Sequence, residues 1–243
     1  MSEPLLEVSG LTKRFGGFTA LDGVDLAVAP GERLGLIGPN GSGKSTLVNC
    51  IAGTLRNDAG TIRFGGRDIC RDPAFKRVHL GVARSFQIPR PFASMSVVDN
   101  LRIPLLYGHG APVTLDARRV DEEAMAILVQ VGLAAKARSM SRGLTQVDMR
   151  KLELARAIAA KPRLLIADEA MAGLSSSEVD EILALLLGMK GRGVAVIMIE
   201  HVMRAVMRFS ERIAVLVAGR KIADGEPGSV VALPDVVTAY LGQ

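Results

Sequence analysis

The 243-residue sequence has no tryptophan and only two tyrosines, and with seven phenylalanines its aromatic share is 4%. So few rings argue against a surface that holds nucleic acid by stacking bases on aromatic side chains. Cysteine is equally scarce. Cys50 and Cys70, with three scattered histidines, form neither a disulfide framework nor a CxxC or HxxxH metal site, and both read as small buried hydrophobes. Long apolar runs are absent: Val194–Ile199, Ile213–Ala218 and Ile182–Leu187 are six residues each, whereas a membrane-crossing helix needs roughly 20. The opening MSEPLLEVSG carries an early acid and no apolar stretch of signal-peptide length, so a cytoplasmic location is expected. Solenoid repeats and Ser/Pro-rich linkers are missing too, which predicts one continuous domain over residues 1–243.

What is present is ordinary globular composition, 49% hydrophobic and 23% charged, enough to bury a sizeable core. The net charge of +5 is concentrated: between Arg63 and Arg90 stand seven Arg/Lys against Asp68 and Asp72. Such a segment is either a solvated face or a patch for an anionic partner such as nucleic acid or lipid. Strand patterns fall at Leu5–Val8, Arg33–Ile37, Arg163–Ala167, Val194–Ile199 and Arg212–Val217. Several are nearly continuous apolar runs, as expected for parallel strands covered on both faces. Helical patterns fall at Lys44–Gly53, Asp148–Ala160, Glu178–Met189 and His201–Phe209, giving a doubly wound α/β alternation. Residues 89–160 contain no comparable strand and are rich in helix formers, for example Val120–Val131. They predict a helical insertion into the α/β core.

The strongest motif is Gly38-Pro39-Asn40-Gly41-Ser42-Gly43-Lys44-Ser45-Thr46, which fits G-x-x-x-x-G-K-[ST] between a strand and a helix. Glycines let backbone N–H groups approach phosphate closely, and the following helix turns its positive end to it. Lys44 is then the side chain to neutralise β- and γ-phosphate oxygens, and the Ser45 hydroxyl is a ligand for Mg²⁺. The second motif is the apolar strand Leu164-Leu165-Ile166-Ala167 ending in Asp168-Glu169. Ligands of open α/β sheets sit at the carboxyl ends of strands. Asp168 is placed to hold Mg²⁺ through water, and Glu169 to orient or deprotonate an attacking water.

With these residues the chain resembles, over essentially its whole length, the ATP-binding subunits of ABC transporters. The resemblance implies a P-loop NTPase fold of mostly parallel sheet, with an N-terminal antiparallel β part and a helical subdomain inserted after the Q-loop. It implies ATP and Mg²⁺ as ligands, with Phe15 stacking on adenine and residues Gly38, Asn40, Gly41, Ser42, Gly43, Lys44, Ser45 and Thr46 around the phosphates. Gln87 in Arg84-Ser85-Phe86-Gln87 matches the Q-loop glutamine that reaches Mg²⁺ and the attacking water. His201 matches the switch histidine at the γ-phosphate. Ala172-Gly173-Leu174-Ser175 occupies the D-loop, with Ser175 where the family has Asp or Asn.

The signature, L-S-G-G-Q in the family, is the largest departure: here it reads Leu144-Thr145-Gln146-Val147-Asp148. In the family it acts on the ATP of the partner subunit. A positive φ at Val147 would be strained, whereas a negative φ leaves its N–H free to face phosphate. Thr145-x-x-Asp148 also reads as a capping box, so Asp148 is expected to face its own helix end rather than a γ-phosphate. The resemblance further implies a second ATP-binding subunit, in a homo- or heterodimer, and separate multi-span permease subunits that place the chain on the cytoplasmic face of the cell membrane. A solute-binding receptor is implied indirectly.

Segments Ala83–Gln87, Val97–Leu101, Met171–Leu174, Gly219–Gly225 and Tyr240–Gly242 are most similar to branched-chain amino acid importers, with lipopolysaccharide-export and urea- or amide-import ATPases also similar. Apolar groups of Ile88–Phe92 and Phe75 are expected to form a docking cleft. Two other classes remain for comparison. A nucleic-acid-associated ATPase of the same family would use the basic segment, while a P-loop kinase would leave Gln87, residues 144–148 and His201 without roles.

Overall fold

A computed structural model describes residues 3–85, 89–109 and 116–241. The chain opens with two long antiparallel strands, β1 (Leu6–Phe15) and β2 (Phe18–Val28), whose pairing is interrupted by register shifts. Together with β4 (Ala59–Phe64) and the two-residue β5 (Arg67–Asp68) they form an antiparallel sheet in the order β2-β1-β4-β5. The second sheet is mostly parallel. It is built from β3 (Arg33–Ile37), β6 (Val82–Ser85), β7 (Leu164–Asp168), β8 (Ala195–Ile199), β9 (Arg212–Val217) and β10 (Arg220–Gly225), in the order β10-β9-β3-β8-β7-β6. Only the β9–β10 hairpin in it is antiparallel.

The apolar strands are buried on both faces for a visible reason. On β7, Leu165 and Ala167 pack into one core while Leu164 and Ile166 pack into another. The same alternation on β8 sends Val196 and Met198 one way and Ala195, Ile197 and Ile199 the other. One core joins the sheet to the antiparallel strands and to helix α1 (Lys44–Ala52), and the other joins it to a group of helices. That group is α3 (Val97–Tyr107), α4 (Ala117–Gln130) and α5 (Gln146–Ala159), with α6 (Ser176–Leu187) and α7 (Met203–Phe209) behind the sheet. Between β6 and β7 the described residues contain helices and short 3₁₀ turns and no named strand. Two short helices, α8 (Pro227–Val231) and α9 (Pro234–Leu241), close the chain, and α2 (Ala74–Leu80) precedes β6.

Three expectations need correction. The strand expected at Leu5–Val8 runs on to Phe15, and its partner β2, within the N-terminal antiparallel part that the resemblance implies, falls where the apolar pattern alone shows no strand, because glycines and bulges break the two-residue alternation. Cys50 is fully buried, and burial pushes its thiol up to about 11, but Cys70 is half-buried and its Sγ accepts the Ile62 N–H at 3.1 Å. The basic segment is not one solvated face. Arg77 is 2% exposed and donates to the carbonyls of Cys50, Ile51 and Asp72, at 2.6 to 2.8 Å, so its guanidinium closes the carboxyl end of α1.

Candidate functional site

β3 lies between β8 and β9 at the centre of the sheet, and the loop from Gly38 leaves its carboxyl end. Two glycines are sterically required there. Gly38 has φ +150°, and a Cβ on it would meet the Leu216 carbonyl oxygen at 2.0 Å. Gly43 has φ +104° and a Cβ would fall 2.6 Å from the Ala20 oxygen. The loop therefore wraps tightly and delivers the chain into α1, whose N-terminus has no capping side chain and no acid in its first turn. Uncapped first-turn N–H groups with a helix dipole behind them form an anion site.

Lys44, 6% exposed, turns back into this loop and donates to the carbonyls of Gly38 at 2.7 Å and Pro39 at 2.9 Å. Burial lowers its proton affinity, against the charges of Glu169 and Asp168, which raise it. A desolvated ammonium held by neutral oxygens alone gains most from an anionic ligand.

Residues Asn40–Thr46 line a pocket of about 280 Å³ together with Phe15, Phe18, Ala20, Glu169 and His201. Phe15 and Phe18 are both exposed, at 49% and 62%, and form the apolar end of it. Phe18 was not singled out from the sequence; a ring three residues after Phe15 at the start of a strand was the available signal. At the other end, Glu169 Oε1 and His201 Nε2 stand 3.1 Å apart. Glu169 holds a left-handed φ of +47° with its N–H donating to the Ile199 carbonyl, a conformation that costs a non-glycine residue roughly 1–3 kcal/mol.

The chain after Glu169 is pinned by Glu200, whose carboxylate accepts the Met171 N–H at 2.8 Å. Glu200 is 3% exposed, and burial raises its pKa. A glutamate beside His201 gave no sign in the sequence that it would turn inward.

Asp168 ends β7 at 5% exposure, and its Oδ2 pairs with Arg84 at 2.6 Å. Arg84 also donates to Asn49 Oδ1, on α1, at 2.5 Å. Among the described residues no group of three or more His, Cys, Asp or Glu is placed to hold a metal. The donors present are the hard oxygens of Asp168 and the exposed Ser45 hydroxyl, which suit a Mg²⁺ that takes its remaining ligands from phosphate and water. Gln87 lies outside the described residues.

Residues 144–148 are not part of this pocket. Thr145 is the N-cap of α5: its hydroxyl oxygen accepts the Asp148 N–H at 3.3 Å and its O–H donates to Asp148 Oδ2 at 2.8 Å. Lys136 pairs with the same carboxylate. Asp148 is 7% exposed, and burial alone would raise its pKa, but the Lys136 ammonium and the Thr145 hydroxyl prevail and hold it below the usual carboxylate range. Val147 and Asp148 are helical, and Val147 has no positive φ, so the strained alternative falls away. Gln146 and Arg150 both reach the Ala172 carbonyl, at 3.5 and 3.4 Å. Ser175 caps α6 in a reciprocal box with Glu178.

A second cleft, of about 230 Å³, lies between β6 and the helical group, walled by Val78, Ala83, Arg84, Ile103, Pro104, Tyr107, Gly108, Glu153, Arg156, Ala157 and Ala160. Of the apolar groups expected at a docking cleft, Phe92 packs against Arg156 of this wall. Phe75 and Phe92 are exposed but do not line this wall, and Ile88 lies outside the described residues.

Comparison with known proteins agrees with this geometry. Residues 21–172 match the family described as ABC transporter. The chain is 40% identical to the high-affinity branched-chain amino acid transport ATP-binding protein BraF of Pseudomonas aeruginosa, with all of both chains covered. It is 37% identical to LivG of Escherichia coli, of the same description, again over both whole chains. Among solved structures, an ATP-binding cassette of an ABC transporter in its ADP conformation superposes with a TM-score of 0.88 at 32% identity, covering all of both chains. The chain belongs to the ABC transporter family, as an ATP-binding, ATP-hydrolysing subunit of such a transporter.

Proposed function

We propose that this chain powers import of a branched-chain or related amino acid through separate permease subunits, from the cytoplasmic face of the cell membrane. The amino acid and the membrane setting rest on its similarity to BraF and LivG, which are described as branched-chain amino acid transport proteins. None of its described helices is long and apolar enough to cross a membrane. The single observation that carries the chemistry is that one pocket gathers the phosphate loop, Glu169 and His201.

In this reading adenine stacks on Phe15, and Phe18 flanks it. The N–H groups of residues 40–46 and the Lys44 ammonium take the β- and γ-phosphates, exchanging neutral carbonyl partners for anionic ones. Ser45, Asp168 and Gln87 hold Mg²⁺, which when bound supplies positive charge against the phosphate oxygens. Glu169 orients and deprotonates the attacking water, a role worth roughly 10²–10⁴-fold in rate. Its 3.1 Å contact with His201 keeps water activation beside the side chain that recognises the γ-phosphate. A second ATP-binding subunit closes over the nucleotide, its helix N-terminus facing the phosphates, and this chain's residues Leu144–Asp148 face the partner's ATP in return. The cleft beside β6, with Tyr107, Ile103 and Pro104 on its wall, receives the permease. A solute-binding receptor acts on the permease rather than on this chain.

Phosphate release by the purified chain, alone and with its permease, tests this. Glu169→Gln should bind ATP with unchanged affinity and hydrolyse it at least about 100-fold more slowly. Normal turnover in that variant removes Glu169 from the role of base. Stimulation of hydrolysis in vesicles by receptor loaded with leucine, but not by empty receptor, supports the amino acid assignment, and stimulation by another solute alone overturns it.

A further inference from the structure

Arg84 has two neighbours that no sequence motif joins. Its guanidinium lies 2.6 Å from Asp168 Oδ2 and 2.5 Å from Asn49 Oδ1, while the same residue forms part of the cleft wall. The pair is inside the protein, with side-chain exposures of 12% for Arg84 and 8% for Asp168. A carboxylate so buried is costly to keep charged unless a cation accompanies it. Lys44 attracts this carboxylate but does not contact it, because its ammonium is held by the Gly38 and Pro39 carbonyls and Ser42 Oγ. Arg84 is therefore the counter-charge in contact with Asp168, and Asn49 fixes it to the helix that carries Lys44 and Ser45.

We propose that Arg84 is a positioning residue that stands in for the metal at Asp168 and thereby sets how tightly this chain takes up a divalent cation with its nucleotide. The inference rests on the reading of Asp168 as a Mg²⁺ ligand. Its physical basis is linkage. A carboxylate already neutralised by a guanidinium gains less from a divalent cation than a bare one does, so the pair weakens metal binding and makes release easier. An orienting role alone would act in the opposite direction, because losing the clamp would loosen the ligand and weaken the metal. The two roles differ in sign.

The test is Mn²⁺ binding to the full chain saturated with AMP-PNP, read from the loss of the free Mn²⁺ paramagnetic resonance signal, in wild type, Arg84→Met and Arg84→Lys. AMP-PNP affinity in EDTA is measured alongside. Arg84→Met should bind Mn²⁺ at least about tenfold more tightly than wild type. Arg84→Lys should stay within about threefold of wild type, because the charge is kept. Affinity in EDTA should not change, which separates an effect on the metal from damage to the phosphate loop.

Unchanged or weaker Mn²⁺ binding by Arg84→Met overturns the proposal and leaves the Mg²⁺ reading intact. Wild type that binds no Mn²⁺ beyond what free AMP-PNP binds overturns that reading, and the proposal with it. Should Arg84→Met fail to fold, nitrogen-15 spectra of arginine guanidinium groups in the wild-type chain decide instead. The Arg84 resonance should move on adding Mg²⁺ to the AMP-PNP complex but stay in place when AMP-PNP is added in EDTA. A resonance indifferent to Mg²⁺ contradicts the stand-in role.

Discussion

The N-termini of α1 and α5 are the same piece of backbone physics put to different ends. Each helix begins with orphan N–H groups and a positive dipole end. At α1 the cap position is Gly43, the first turn holds no acid, and the groups face a pocket where the Lys44 ammonium is bound to carbonyls. At α5 the cap is Thr145, the acid is Asp148, and Lys136 completes a closed neutral cluster. The first end is left for an anion from outside. The second has supplied its own. At α5 the Thr145 hydroxyl takes up the Asp148 N–H and Lys136 neutralises the Asp148 carboxylate, so side chains of the chain itself meet part of the demand that α1 leaves open.

This contrast can be broken at either end. The largest effect is expected from Lys44→Ala, which should weaken Mg²⁺-ATP binding at least about 100-fold in equilibrium titrations, because in the proposed binding mode the desolvated cation meets the phosphates directly. Next is Arg77→Met, at the far end of α1. It removes the guanidinium from the Ile51 and Cys50 carbonyls, leaving the latter only the Gly53 N–H, and should lower unfolding stability by about 2–4 kcal/mol in urea titrations, with ATP affinity reduced less than by Lys44→Ala. Thr145→Val should cost about 1 kcal/mol of stability, the value of an N-cap, with no loss of nucleotide binding by the same chain.

The smallest effect concerns pH. The folded Asp148 carboxyl is held below its unfolded value, so its contribution to stability is complete above the ordinary aspartate pKa and fades as pH falls through the lower folded one. The stability difference between wild type and Asp148→Asn should therefore be present at neutral pH and shrink on acidification below about 4. A difference that grows on acidification would mean that the Lys136 and Thr145 contacts do not hold this carboxyl.

The two helix ends also show how much was readable beforehand. The loop from Gly38 to Thr46 announces itself because its logic is local: glycines at the tight positions and a lysine at the helix start, all within nine residues. The Thr145 cap is readable for the same reason, its partner Asp148 lying three residues further on. The central strands were visible because burial on both faces makes β7 and β8 continuously apolar. What stayed hidden depends on distance along the chain. Arg84 reaches Asp168 across 84 positions and Arg77 reaches Cys50 across 27, so a composition count could only register both as surface charge. Glu200 looked like a neighbour of His201 and turned out to fasten the loop after Glu169. β2 was missed because its alternation is broken at Gly23 and by its irregular pairing with β1.

The central claim is that α1, and not α5, offers its amino end to a triphosphate in the single chain. Calorimetric titration of ATPγS with Mg²⁺ into wild type, Lys44→Ala and Asp148→Asn measures it most directly. One nucleotide per chain is predicted for wild type and for Asp148→Asn with equal affinity, and none at the same concentrations for Lys44→Ala. Binding that survives Lys44→Ala, or that Asp148→Asn removes, would contradict the account.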